Sequence, residues 1–465
     1  MQESKFLEKI LRVGRKIIPH KIFKLAQPIY HFKLALLGAI IYRFPARKLT
    51  VIGVTGTKGK STITELVNAI LEVDGKKTAL ANTIRYKIGD NEWRNMFKMT
   101  LRGRFFTQKF LRQAVDCGCT HAIIEISSEG VPQFRHKFLF PDALIFTNLA
   151  PEHIESHGSY ENYLKAKLAI AKELRGQGKS FLKKVWPSEA RRPEDFQKRS
   201  FSPGPVIIAN TDDKEGEKFL ALNIKNKIPY SLRDAIAVKA NEKGSSFQIG
   251  KMVIHSKLPG IFNIYNMLGA IAYARFAGIP DEKIKRGLEE IDFIRGRMEK
   301  IDVGQNFDVI VDYAHTPDSL RAIYETYRGY KKICVLGNTG GGRDKWKREE
   351  MGKIADKYCN QIVLTNEDPY DEDPVRIIED IKRSIKPSFV KTSAGEEKSK
   401  VEIIMDRRSA IGSAFAKATA DKGSQKIAVL ITGKGTDPYI MGPNGTKQEW
   451  DDAAIAREEL NKILK

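Results

Sequence analysis

The 465-residue chain has only four cysteines, Cys117, Cys119, Cys334 and Cys359, and no CxxC pair among them. That spacing indicates neither a zinc ribbon nor a disulfide framework, and a reducing, cytoplasmic setting fits it. Long apolar runs are also missing. The longest uncharged one, Leu34 to Tyr42, is nine residues, against the roughly 20 needed to span a bilayer. It lies too far into the chain, and lacks a small-residue cleavage site after it, to read as a signal peptide. No repeat of solenoid length and no RNA-binding aromatic signature occurs, so a nucleic-acid partner is not expected. What remains is 42% hydrophobic and 29% charged residues, an ordinary globular composition with length for two or three domains.

Acid is the scarcer charge. Asp and Glu number 57 against 79 Lys and Arg, a formal +22, which favours anionic surfaces or phosphorylated substrates. Residues 1–48 hold eleven Lys/Arg against Glu3 and Glu8 alone. Phe6, Ile10, Leu11, Val13, Ile17 and Ile18 alternate there with basic residues at helical spacing. Pro19, Pro28 and Pro45 are expected to divide the segment into short helices. It suits either a helical cap on the next domain or a helix lying on an anionic membrane surface. A second basic stretch, Lys179 to Arg199, reads as a solvated loop.

From Leu49 the pattern changes. Leu49–Val54 is a β-branched run followed by a glycine-rich turn and a helical segment, Ser61 to Val73. Further strands are expected at Ala122–Ile126 and Ala143–Thr147, shorter alternating ones at Ser246–Ile249 and Met252–His255. A second strand–helix series runs through Val309–Asp312, Lys332–Gly337, Gln361–Thr365 and Ala428–Thr432. Strand–helix alternation implies parallel sheets covered on both faces. The division expected is a basic segment over 1–48, a central domain over 49–297 and a second α/β domain over 298–465.

Gly53-Val-Thr-Gly56-Thr-Lys-Gly59-Lys60-Ser61 lies between strand and helix. There, glycines let backbone N–H groups turn toward phosphate oxygens and the helix presents its positive end. Lys60 suits the β/γ-phosphates and the Ser61 hydroxyl a Mg²⁺ ion. Counted strictly, the Walker spacing puts Val54 where a glycine belongs, so the loop by itself leaves both nucleotide binding and a structural turn open.

The string Gly53 to Thr62 resembles the loop of the Mur ligases, ATP-dependent enzymes that form amide bonds. Further matches follow in order. They are Glu125-Ile-Ser-Ser128, then Phe146-Thr-Asn-Leu-Ala-Pro-Glu152-His153 with His157-Gly158 and Tyr163 to Lys167, then Gly260-Ile-Phe-Asn263-Ile-Tyr-Asn266. Gly296-Arg297-Met298-Glu299, Val311-Asp312-Tyr-Ala-His315-Thr-Pro317, Gly340-Gly-Gly-Arg343-Asp344-Lys345-Trp-Lys-Arg348, Asp406-Arg407 and Gly433-Lys434-Gly435 complete the set. The Asp312–Pro317 and Gly340–Arg348 strings are most similar to the tripeptide-synthetase branch.

The resemblance implies a central P-loop, parallel-sheet ATPase domain followed by a Rossmann-like α/β domain that closes over the site. It implies ATP and Mg²⁺, two ions, and an acyl phosphate formed on the acceptor carboxylate before an amine captures it. Lys60, Lys167, His315 and Asp312 would be catalytic. Gly56, Thr57, Lys58, Gly59, Lys60, Ser61, Thr62, Asn266, Arg297, Arg343 and Lys345 would hold the nucleotide. Ser61, Glu125, His153 and a carbamylated Lys167 would surround the metal. Thr100, Ser127, Asp368, Tyr370, Gly433 and Lys434 would meet the substrates, a peptidoglycan precursor and an amino acid. A cytoplasmic monomer follows, peripheral at the inner membrane face if residues 1–48 bind lipid.

Two departures bear on the substrate. Only 48 residues precede the ATPase, where the family carries a domain for the UDP-sugar end, so a UDP-free or lipid-linked acceptor is an alternative. Where diaminopimelate-adding members have D-N-P-R, this chain has Glu367-Asp368-Pro369-Tyr370 with Asp371, Glu372 and Asp373 following. Such acidity repels a second carboxylate and attracts an ammonium, which predicts a lysine-like amino acid unless the turn is merely solvated. The competing functions are folate polyglutamylation, a nucleotide-binding membrane scaffold and a simple NTPase switch. A scaffold would need neither Lys167 nor His315.

Overall fold

The computed structural model describes residues 20–152, 154–174, 204–391 and 397–464. His153, Pro19 and the Lys179–Arg199 stretch lie outside the described residues.

The run Thr50–Thr55 (β1) is buried along all but its first residue, as the β-branched sequence requires. It sits inside an eight-stranded sheet of order β4-β3-β2-β5-β1-β6-β7-β8. Its other strands are Thr78–Ala81 (β2), Arg85–Ile88 (β3), Asn91–Arg94 (β4), His121–Glu125 (β5), Ala143–Phe146 (β6), Val206–Asn210 (β7) and Asn226–Tyr230 (β8). β1 pairs in parallel with β5 on one side and β6 on the other. Only the β2–β3 and β3–β4 pairings at the edge are antiparallel. Three antiparallel strands, Ile236–Asn241 (β9), Gly244–Ile249 (β10) and Met252–Ser256 (β11), form a small separate sheet.

Helices cover both faces of the large sheet. Lys60–Val73 (α2) packs with Ile261–Phe276 (α5) and Asp281–Glu289 (α6) over one apolar core. Arg104–Asp116 (α3) and Tyr160–Ala171 (α4) enclose the other. Outside α3 lies His20–Ile41 (α1), whose Phe32, Ala35, Leu36 and Ala39 meet Phe134 and Phe138.

Pro28 stands inside α1 and does not divide it. Interior proline costs a helix about 3 kcal/mol. The aromatic packing of the following two turns offsets that loss here. Pro45 does mark a break, opening a short 3₁₀ turn over Pro45–Lys48.

The second sheet has the order β12-β13-β19-β14-β15-β18. Its strands are Glu299–Ile301 (β12), Asp308–Asp312 (β13), Lys331–Leu336 (β14), Gln361–Leu364 (β15), Val401–Ile403 (β18) and Ile427–Thr432 (β19). A ribbon of Phe389–Lys391 (β16) and Glu397–Ser399 (β17) lies beside it. All pairings are parallel except that of β12. Pro317–Thr326 (α7), Trp346–Tyr358 (α8) and Pro374–Lys382 (α9) cover one face; Arg407–Ala420 (α10) and Asp452–Ile463 (α11) cover the other. Cys334 on β14 is disulfide-bonded to Cys359 beyond α8, their Cα atoms 6.2 Å apart. The spacing of 25 residues gave no hint of this pair, because the fold, not the sequence interval, brings strand and helix end together.

Candidate active site

Ligand crevices in open parallel sheets form beyond the carboxyl ends of strands whose neighbours lead in opposite directions. β1 is such a strand. Its end runs into a loop that only glycine can follow. Gly56 has φ +149° and Gly59 φ +81°. A Cβ on Gly56 would collide with Thr147 Oγ1, and one on Gly59 with Asn266 Oδ1. The loop therefore lies tight against two polar side chains, with the α2 N-terminus at its end.

Ser61 Oγ donates to Glu125 Oε2 at 2.8 Å. Glu125, buried at the end of β5, also accepts the Thr83 N–H (3.0 Å) and hydroxyl (3.1 Å). Lys60 Nζ donates to the Thr57 carbonyl at 2.8 Å and lies 4.0 Å from Glu125. Paired hydroxyl and carboxylate oxygens are the hard donors that Mg²⁺ takes, so Ser61 and Glu125 fit the ion. His153 falls outside the described residues.

Lys167 is fully buried behind the loop. Its Nζ donates to the Gly56 carbonyl at 2.7 Å and lies 4.7 Å from the Tyr163 ring centroid. Tyr163 in turn shares a 2.9 Å hydrogen bond with Thr57. Burial, reinforced by Lys60, pushes the Lys167 ammonium well below the usual lysine range, although Glu152, Glu125 and Glu129 pull the other way. Such a shift favours the uncharged amine over the ammonium.

The second sheet points its own carboxyl ends at the same cavity, about 740 Å³ in volume. Arg297 Nη2 reaches Ser61 Oγ at 3.2 Å. Asp312, at the end of β13, accepts the N–H groups of Met298 and Ala314, both at 2.7 Å. His315 Nδ1 lies 2.7 Å from the Tyr313 carbonyl and Nε2 lies 2.8 Å from Glu152 Oε1. Burial first, then Lys58, pushes His315 down to about 3. A neutral ring has one N–H for these two acceptors, so the ring donates to only one of them. Glu152 also accepts from Lys58 Nζ at 3.3 Å.

The cavity wall brings together most of the residues singled out from the sequence. Thr57 to Thr62, Thr100, Glu125, Ser127, Asn266, Arg297, Asp312, His315 and Arg343 line it. Gly56 and Lys167 back the loop. Lys345 is not brought in: it caps α8 with its ammonium in solvent, 3.2 Å from Glu372. The helical turn sends Lys347 inward instead, where burial lowers its pKa against the pull of Glu152 and Glu367.

Asp368, Tyr370, Gly433 and Lys434 do not line the cavity either. The acidity around them is already satisfied. Asp368 accepts from Lys434 and Lys98, Asp371 from the Asn444 N–H, Glu372 from Arg348, and Asp373 caps α9. The expected seat for a lysine-like substrate is thus filled from within. Sequence reasoning gave no role to Glu152, Lys98, Lys347 or Asp437. Glu152 stood inside a recognisable string, but nothing local distinguishes Lys98 from any surface lysine.

The Mur ligase middle-domain model matches residues 54–274, and the model described as Mur ligase, glutamate ligase domain matches residues 296–435. Over 440 residues the chain is 32% identical to the UDP-N-acetylmuramoyl-L-alanyl-D-glutamate–2,6-diaminopimelate ligase of Geobacillus kaustophilus, spanning 92% of this chain and 82% of that one. It is 32% identical over 466 residues to the UDP-N-acetylmuramyl-tripeptide synthetase of a Roseiflexus species, spanning 97% and 85%. A solved UDP-N-acetylmuramoyl-L-alanyl-D-glutamate–2,6-diaminopimelate ligase superposes with a TM-score of 0.55 at 26% identity, over 90% of this chain and 79% of its own. Folylpolyglutamate synthase of Mycobacterium tuberculosis shares the fold, with a TM-score of 0.64 at 15% identity over 93% and 97%.

Proposed function

The chain belongs to the Mur ligase family of ATP-dependent amide-forming enzymes, and on that premise we propose that it joins an amino acid to a carboxylate of a UDP-N-acetylmuramoyl-dipeptide-like precursor. The observation that carries this reading is the facing of two charge sets across one cavity. Lys60, Ser61 and Glu125 stand on the first unit, Arg297 at its end, and His315 and Arg343 on the second. A carboxylate is a poor electrophile until its oxygen is phosphorylated, and phosphoryl transfer is mainly positioning and charge neutralisation. Lys60 and Arg297 neutralise the transferring group. Mg²⁺, held by Ser61 and Glu125, would supply Lewis acidity. The amine then forms the C–N bond while the C–O bond to phosphate breaks and the oxygen keeps the electron pair. In this reading the His315–Glu152 pair takes the proton that the ammonium gives up. Closing of the two units over the cavity would keep water from the acyl phosphate.

Domains divide at 49–297 and 298–465 in this reading, and Lys167 acts as its carbamate. The outer arc of α1 supports peripheral membrane association. Ile29, Leu37, Ile40 and Ile41 are exposed there beside Lys33, and no acid occurs between Glu8 and Glu65. An apolar stripe with cationic flanks suits an anionic bilayer. That observation favours a lipid-linked acceptor as the second reading.

The test is incubation with ATP, Mg²⁺, UDP-N-acetylmuramoyl-dipeptide and single amino acids. A product heavier by one amino-acid residue, with one phosphate per product, is expected. Phosphate release that needs no amine would overturn the ligase reading in favour of an NTPase. Flotation with anionic but not zwitterionic vesicles, lost in Leu37→Glu, is expected of the membrane arc.

A further inference from the structure

The incoming amino acid must enter between the acceptor wall of the first unit and the second unit, because the loop and Asn266 side of the cavity belongs to the nucleotide. Lys98 and Asp437 form that third corner. Lys98 belongs to the loop after β4, and its backbone is left-handed at φ +48°, a strained conformation for a lysine. Its Nζ crosses to the second unit, 2.6 Å from Asp368 Oδ2 and 2.8 Å from Asp437 Oδ2, over the Tyr370 ring at 5.7 Å. Lys434, with no exposed side-chain surface, lies 2.9 Å from Asp368 and 3.0 Å from Asp437.

Counted without Lys98, this nest holds two carboxylates and one ammonium, a buried surplus of one negative charge. Such a surplus is costly unless a cation joins it. Lys98 is that cation. Burial opposes its charge, but Asp437 and Asp368 outweigh burial and hold its pKa above the usual value. Arg343, also on the cavity wall, forms no ion pair with any described residue. With Lys98 seated, an entering side-chain ammonium finds Asp368 and Asp437 already paired, while the carboxylate beside the distal ammonium of diaminopimelate can meet Arg343.

We infer that Lys98 is a specificity-determining residue that occupies an ammonium seat formed by Asp368 and Asp437, and so turns the enzyme away from amino acids with a cationic side chain. This rests on the ligase reading above. Removing the Lys98 charge unmasks the seat and admits lysine.

The test compares the full chain with Lys98→Met and Lys98→Gln, using UDP-N-acetylmuramoyl-dipeptide, ATP, Mg²⁺ and either L-lysine or diaminopimelate. Wild type should favour diaminopimelate. The kcat/KM ratio of lysine to diaminopimelate should rise about tenfold or more in both variants, equivalent to some 1.4 kcal/mol. Adding Asp437→Asn should cancel the rise. An unchanged ratio with both rates lowered equally would make Lys98 a mere strut and overturn the inference, as would a wild-type preference for lysine.

If no amino acid is ligated, the ligase reading fails, and equilibrium dialysis of labelled L-lysine still decides the seat. Binding at least about tenfold tighter to Lys98→Met than to wild type supports it, and equal binding overturns it.

Discussion

Lys167 and His136 show how burial decides what a side chain can do. Lys167 is buried with its Nζ against the Gly56 carbonyl, and Lys167→Ala should lower amide-forming turnover by about 100-fold. Its MgATP-induced thermal shift should persist, since Lys60 and Ser61 still hold the phosphates. Initial rates measured beside calorimetric melts check both. His136 is buried, and burial, aided by Lys137, lowers its pKa to about 3. The unfolded ring takes up its proton near pH 6.5, so between that pH and about 3 the unfolded chain binds more protons. Stability must then fall as pH falls through this window. At pH 5 the His136 contribution is a loss of about 2 kcal/mol, visible in urea midpoints at pH 7 and 5 and reduced in His136→Phe. Individual roles were the least legible level of the sequence. Glu125 and Ser61 stand in a recognisable string, whereas Lys98 gains its meaning only from Asp368 and Asp437, some 270 and 340 positions away.

Elements were easier to read, and for a physical reason. Buried parallel strands need unbroken β-branched runs, so β1, β13 and β19 show themselves in composition alone. The glycine loop shows itself because positive φ and close approach exclude side chains. Gly59→Ala should therefore abolish the MgATP-induced thermal shift and lower the melting temperature of the free protein. A Cβ there meets Asn266 Oδ1 as well as a disfavoured backbone. Helix α1 is the counterexample. Proline rules describe an isolated helix, while this one is held by Phe134 and Phe138. Pro28→Ala should raise helicity by circular dichroism without altering turnover. Lys345 and Lys347 illustrate a further limit, since a shift of two residues at a helix start exchanges solvent for the interior.

At the scale of the molecule, charge holds the two units together. Asp451 accepts from Arg94 and Arg295 across the cleft, at 2.9 and 2.8 Å, while also capping α11. Asp451→Asn keeps the cap and removes the charge. It should lower kcat about tenfold and enlarge the radius of gyration measured by solution scattering with ATP analogue bound. Raised salt should do the same to wild type. Assembly across the cleft was invisible in the sequence because its partners come from opposite halves of the chain.

Among the described residues the main chain passes from the large sheet to the second sheet once, in the stretch from Glu290 to Met298. The described contacts across that seam include the ion pairs of Lys98, Arg94 and Arg295 and the packing of Phe262. The two halves are therefore separable machines joined by a single strap, and expressing them as two polypeptides with complementary seams is a realistic route to a switchable enzyme. A molecule wedged into the seam would stop catalysis without ever touching a reacting atom.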